Sequence, residues 1–98
     1  MNIQAMMKQA QKLQKDMLTA KEEIDSKVFI GTNSFVTVNL KGTKEIASIK
    51  INKESLDKEE IEMLEDMITI AINNAIKEID NETETKMGKY SQGMPGLF

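Results

Sequence analysis

Lys8, Lys12 and Lys15 stand at i, i+4 and i+7, so a helix gathers their three ammonium groups on one face. Gln4 and Gln11 flank them on the side away from the apolar positions. A row of this kind has two readings. It can hold anionic groups, phosphates above all, or it can be the solvated face of an ordinary amphipathic helix. Residue types alone leave both open. Lys21 can extend the row, while Lys86 and Lys89, with Tyr90 beside them, form a second basic group near the other end of the chain. That group reads either as a frayed helix terminus or as a segment that orders against a partner.

Other chemistry has little to work with. The chain has no Cys and no His, which removes thiolate catalysis, the usual neutral-pH general base and the commonest metal ligands together. Glu59, Glu60, Glu62, Glu65 and Asp66 form an acidic cluster without a histidine to complete a metal site. Capping and the helix dipole already account for acids at a helix start. No catalytic residue, metal or cofactor is therefore expected, and the protein is not expected to be an enzyme.

Net charge is −3, and all thirteen cations are Lys. The distribution matters more than the total. Residues 54–66 carry seven acids against Lys58, whereas 27–53 carry five Lys against Glu45, and the first fifteen residues hold three Lys and no acid. Segregation of this kind lets a basic arm coexist with an acidic chain.

Those side chains need elements to position them. Ile3, Met6, Ala10, Leu13, Met17, Ala20 and Ile24 alternate spacings of three and four, which predicts one amphipathic helix over about 3–25 with Asn2 as its cap. The seam is thin, because two of its positions are Ala, so the helix is expected to lean on more than one surface and to extend beyond the body. Val28-Phe29-Ile30, a turn at Gly31-Thr32-Asn33-Ser34, and the alternating run Phe35 to Leu40 predict a hairpin. Glu45 to Ile51 adds a third strand, with Ala47, Ile49 and Ile51 on one face, and the sheet spans about 27–53. Asp57-Lys58-Glu59-Glu60 is a capping box, and Ile61, Leu64, Ile68, Ala71, Ala75 and Ile79, widened by Met67 and Ile72, carry a second helix over about 58–86. Asn73 and Asn74 interrupt it, and at least one is expected to make a buried hydrogen bond that fixes a dimer register or satisfies a strand. Residues 88–98 hold three glycines and the only proline and read as a mobile tail.

The fold class is α+β, with one domain over 1–98, helix-sheet-helix in order. Ninety-eight residues support one core, and a second copy would help to close it. Apolar runs such as Ile70-Ala71-Ile72 fall far short of the ~20 residues of a membrane span, so no membrane partner is expected. Only four aromatic residues are present, which leaves little for a small-molecule pocket, and no such substrate is expected.

Four segments, in order along the chain, resemble the YbaB/EbfC family of bacterial nucleoid-associated proteins. They are Met7 to Gln14, Gly42 to Ile51, Met63-Leu64-Glu65-Asp66 with Asn73-Asn74-Ala75, and Gly93-Met94-Pro95-Gly96-Leu97-Phe98. The resemblance implies an α-β-β-β-α subunit with a three-stranded antiparallel sheet, paired into a homodimer whose long helices project like tweezers. It also implies a cytoplasmic, nucleoid-located protein that binds double-stranded DNA through those helices. Lys8, Lys12, Lys15, Lys21, Gln4, Gln11, Lys86 and Lys89 are then the expected contacts. Two departures stand out. The chain lacks Arg, and with it the commonest bidentate contact to guanine, so sequence preference is expected to be slight. Ser34-Phe35 stands where relatives often carry glycine. A protein-interaction scaffold with incidental DNA contact is the alternative reading.

Overall fold

The computed structural model of the chain describes residues 2–93, with side chains through Tyr90. The order is α1 (Ile3–Ser26), β1 (Val28–Asn33), β2 (Val36–Lys41), β3 (Ile46–Ile51) and α2 (Lys58–Gly93), an α-β-β-β-α subunit. The strands form an antiparallel meander in the order β1-β2-β3. Among the described residues, no helix is long and apolar enough to cross a membrane.

Each helix starts where a side chain can satisfy its free amides. The Asn2 side chain accepts from the Gln4 amide at 3.0 Å. At α2 the capping box closes in both directions: the Glu60 amide donates to Asp57 Oδ1 at 2.8 Å, and the Asp57 amide donates to Glu60 Oε1 at 3.1 Å. Lys53 also donates to the Glu60 carboxylate, and this bond, followed by the Asp57 amide, holds its pKa below the usual carboxylate range. A lowered folded pKa contributes stability above the ordinary range, which is lost as pH falls through the lowered value.

The helix α2 lies across β1 and β2. Val36, Val38 and Leu40 alternate inward from β2 and are fully buried, meeting Met67, Ala71, Ala75 and Ile79 of α2. The residues Ala71 and Ala75 are small because β1 comes close. A Cβ on Gly31 would lie 1.9 Å from the Ala71 carbonyl oxygen and 2.9 Å from the Ala75 Cβ. Asn74 Nδ2 donates to the Thr32 carbonyl at 3.1 Å, so it satisfies strand backbone as expected, although the bond is exposed instead of buried.

The hairpin differs from its sequence reading. Gly31 and Thr32 pair with Val38 and Thr37 inside the ladder, and the turn is the two residues Ser34-Phe35. Ser34 takes φ 53°, the left-handed conformation that glycine adopts without strain. Between β2 and β3 the ladder shifts, so that Leu40 pairs with Ile46 while Asn39 pairs with Ser48. Ala47 is the extra residue, and Ile46, with Ile49 and Ile51, falls on the face that carries Val36, Val38 and Leu40.

The second helix runs past the expected limit of 86 and is helical through Gly93. Met87 and Tyr90 are buried, and this packing extends it. Within the expected tail, residues 88–93 are thus helical, and 94–98 lie outside the described residues. The radius of gyration is 19.4 Å, against about 13 Å for a compact chain of this size. Extents of 71 × 20 × 14 Å fit a rod made of α2 with α1 projecting past its end.

Candidate nucleic-acid interface

Two ion pairs set how α1 lies on α2. Glu23 meets Lys86 at 3.6 Å, and Lys27, just after α1, meets Glu82 at 2.6 Å. Each step forward along α2 is thus a step back along α1, and the helices are antiparallel. Met17, Ala20 and Ile24 pack at this junction with Met87 and Tyr90. Carried forward, the stagger puts Gly93 level with Asp16. Residues 3–15 of α1 therefore stand beyond α2, an arm of about 20 Å at 1.5 Å per residue.

Every described residue of the arm is exposed. At about 100° per residue, Gln4, Gln11, Lys8, Lys12 and Lys15 fall within an arc of roughly 100°, opposite the stripe of Ile3, Met6, Ala10 and Leu13. Among the described residues, no carboxylate pairs with Lys8, Lys12 or Lys15. The positive end of the α1 dipole lies at the same tip, and no acid occupies its first turn. Three cations, two amides and a helix N-terminus are thus held away from the acidic body.

The other expected residues lie elsewhere. Lys21 falls at the edge of the apolar stripe, off the lysine arc, and pairs with Asp25 at 2.8 Å. Lys86 is half-buried in its pair with Glu23. Lys89 is exposed, with its ammonium 5.0 Å from the centre of the Tyr90 ring. Lys86 and Lys89 thus sit at the root of the arm, about 20 Å or more from its tip. Lys27, Lys41, Lys44 and Lys53 are also engaged by carboxylates.

The sequence model of the YbaB/EbfC DNA-binding family matches residues 1–94. The chain belongs to this family. It is 43% identical to a nucleoid-associated protein of Enterococcus faecalis over 98 residues, covering 98% of this chain and 94% of that one. A nucleoid-associated protein of Lactococcus lactis subsp. cremoris is 45% identical over 97 residues, covering 97% and 98%. One from Clostridium novyi is 43% identical over 102 residues, covering 100% and 90%. In this YbaB/EbfC chain the charge pattern alone did not reveal Glu23 and Asp25, which take Lys86 and Lys21 out of the free set. The i,i+4 spacing of Lys21 and Asp25 was the available signal for one pair. Glu23 and Lys86 lie too far apart in sequence to offer any.

Proposed function

We propose that this chain forms a homodimer that binds double-stranded DNA with little sequence specificity and acts as a nucleoid-associated protein in the bacterial cytoplasm, without catalysis. The observation that carries the reading is the row Lys8, Lys12 and Lys15, without an ion-pair partner among the described residues and held out on an arm of a chain whose net charge is −3. Most other cations are spent on local carboxylates, and these three are left to meet phosphates. Gln4 and Gln11 border the row and hydrogen-bond the sugar-phosphate backbone or base edges. Lysine offers point charges without the fixed fork of arginine, which favours phosphate over base readout. Lys86, Lys89 and Lys21 act at the arm's root, where Glu23 and Asp25 compete for two of them.

The homodimer rests on β3. Its residues Ile46, Ile49 and Ile51 lie on the core side of the sheet, yet α2 packs chiefly on β1 and β2, and Ile49 remains 44% exposed. A second copy seated there would close the core and bring two arms into one body. Changing Ile49 and Ile51 together to Asp should yield a folded monomer at micromolar concentration by light scattering, whereas the parent chain should be a dimer. A parent monomer, or a variant that remains dimeric, removes β3 as the interface.

Binding itself is tested by mobility shifts of a duplex across a salt series. Six to eight neutralised phosphates per dimer predict a slope of log K against log salt of about −5 to −7, and binding roughly 10³- to 10⁴-fold weaker at 200 mM than at 50 mM salt. Affinity that ignores ionic strength, or that is absent at low salt with the fold intact, would falsify this reading.

A further inference from the structure

The arm has a second face, opposite its lysines. Ile3 is 72% and Met6 49% exposed, and Ala10 and Leu13 are exposed in line with them. These four continue the stripe whose other half, Met17, Ala20 and Ile24, packs at the junction with α2. Their alternating spacings of three and four are the seam of a helix that meets a second helix along its length. The flanks of the seam select that second helix. Asn2, Met7, Gln9 and Gln14 border it and carry no charge, while Lys8, Lys12 and Lys15 lie on the far side. A charged partner helix finds nothing to pair with there, and another arm finds nothing to repel it.

We infer that the seam takes the arm of a second copy, laid antiparallel with Ile3 against Leu13 of that copy and Met6 against its Ala10. One register satisfies both pairings, and Met6 fills the space that the small Ala10 side chain leaves. In a parallel pair Ala10 would face Ala10, and the two positive helix ends would lie together. The antiparallel pair instead opposes the dipoles and brings Asp16 of each chain beside the helix start of the other. Asp16 has no ion-pair partner among the described residues, and α1 has no acid in its own first turn.

The two bodies then lie off opposite ends of the overlap, so chains joined by their arms are not the ones that meet at β3. The lysine rows stay on the outer sides of the paired helices. Four seam residues a side fall far short of the roughly 20–30 of a stable interface, so the pairing belongs to protein at about 100 μM and above. Micromolar protein keeps the β3 pair alone. No DNA takes part in this contact, which therefore stands or falls apart from the proposed duplex binding.

The absence of cysteine allows a direct test on the full chain. Met7→Cys at about 500 μM, treated with a bismaleimide of about 8 Å reach, should give covalent dimers at least about tenfold faster than Lys12→Cys, which lies on the outer side. Equal rates for the two variants, or no product from either, overturn the inference. Direction is read from a mixture of Ile3→Cys chains with Leu13→Cys chains. The mixed dimer should dominate, because two copies of residue 3 lie about 15 Å apart along the antiparallel axis, and a predominance of Ile3→Cys homodimers overturns the register. The Met7→Cys product should also persist when Ile49 and Ile51 are changed to Asp. Its loss there would assign the contact to the β3 pair and overturn the inference. Amide exchange over residues 3–13 should slow as protein rises from about 5 to about 500 μM. Exchange that is slow at both concentrations overturns it as well and assigns the stripe to an occupant within the chain.

Discussion

Replacing Lys8, Lys12 and Lys15 together by Glu should abolish duplex binding while leaving the chain folded and its proposed pairing intact. On the proposed reading the change would remove three phosphate contacts per subunit and install three repulsions, a swing of twelve charge units across the proposed dimer. The contacts alone account for about 5 units of the salt slope, so the expected loss is a thousandfold or more at moderate salt. Folding should be spared because all three side chains are exposed and lack ion-pair partners among the described residues. Mobility shifts measure the loss, and circular dichroism checks the helices. Binding that survives at parent strength moves the site away from the arms and favours a scaffold whose DNA contact is incidental. Changing Lys21 and Lys86 should cost far less, since Asp25 and Glu23 already hold them.

The largest effect on stability is expected at Gly31. In Gly31→Val the new Cβ would stand 1.9 Å from the Ala71 carbonyl oxygen and 2.7 Å from the Ala75 amide nitrogen. Both atoms are helix backbone, so no rotamer change relieves the clash, and β1 must lift from α2. Overpacking typically costs about 1–3 kcal/mol, and this site lies at or beyond the upper end. Thermal melts should fall by on the order of 10–20 °C for a domain of this size. Gly88→Ala is the control. A Cβ there meets nothing within 4 Å, and alanine should hold or raise stability by up to about 1 kcal/mol. A Gly31→Val protein that melts within a few degrees of the parent would mean that strand and helix are not in close contact.

Gly31 also marks a limit of reading the fold from sequence. Element order, the capping box and the main apolar stripes were legible because each rests on local periodicity. A glycine serves a turn and a close approach equally well, and nothing within the sequence of β1 distinguishes them. The true turn falls at Ser34-Phe35, which carries no strong turn signal of its own. The bulge at Ala47 was equally hidden, since strict alternation fitted Ala47, Ile49 and Ile51 as well as the observed set.

The end of α2 was obscured for a different reason. From Ile79 the inward stripe continues through half-buried Thr83 to buried Met87 and Tyr90. Thr83 breaks the apolar pattern, but its hydroxyl donates to the Ile79 carbonyl at 2.7 Å and is satisfied within the helix. A polar residue that consumes its own polarity in this way looks like an ending while the helix continues. At the candidate site, the lysine row was legible and its freedom was not, because pairing across elements depends on the antiparallel stagger.

The 71 Å rod carries Lys8, Lys12 and Lys15 toward one tip and the acidic cluster Glu59, Glu60, Glu62, Glu65 and Asp66 in the first turns of α2, toward the opposite end. Such a body has a permanent electrical polarity that a single net figure hides. Near a polyanion it experiences a torque as well as a force, so the lysine-bearing tip turns inward and the carboxylate-rich rear swings outward before contact. Orientation during approach, rather than overall attraction, is what the separated charges provide.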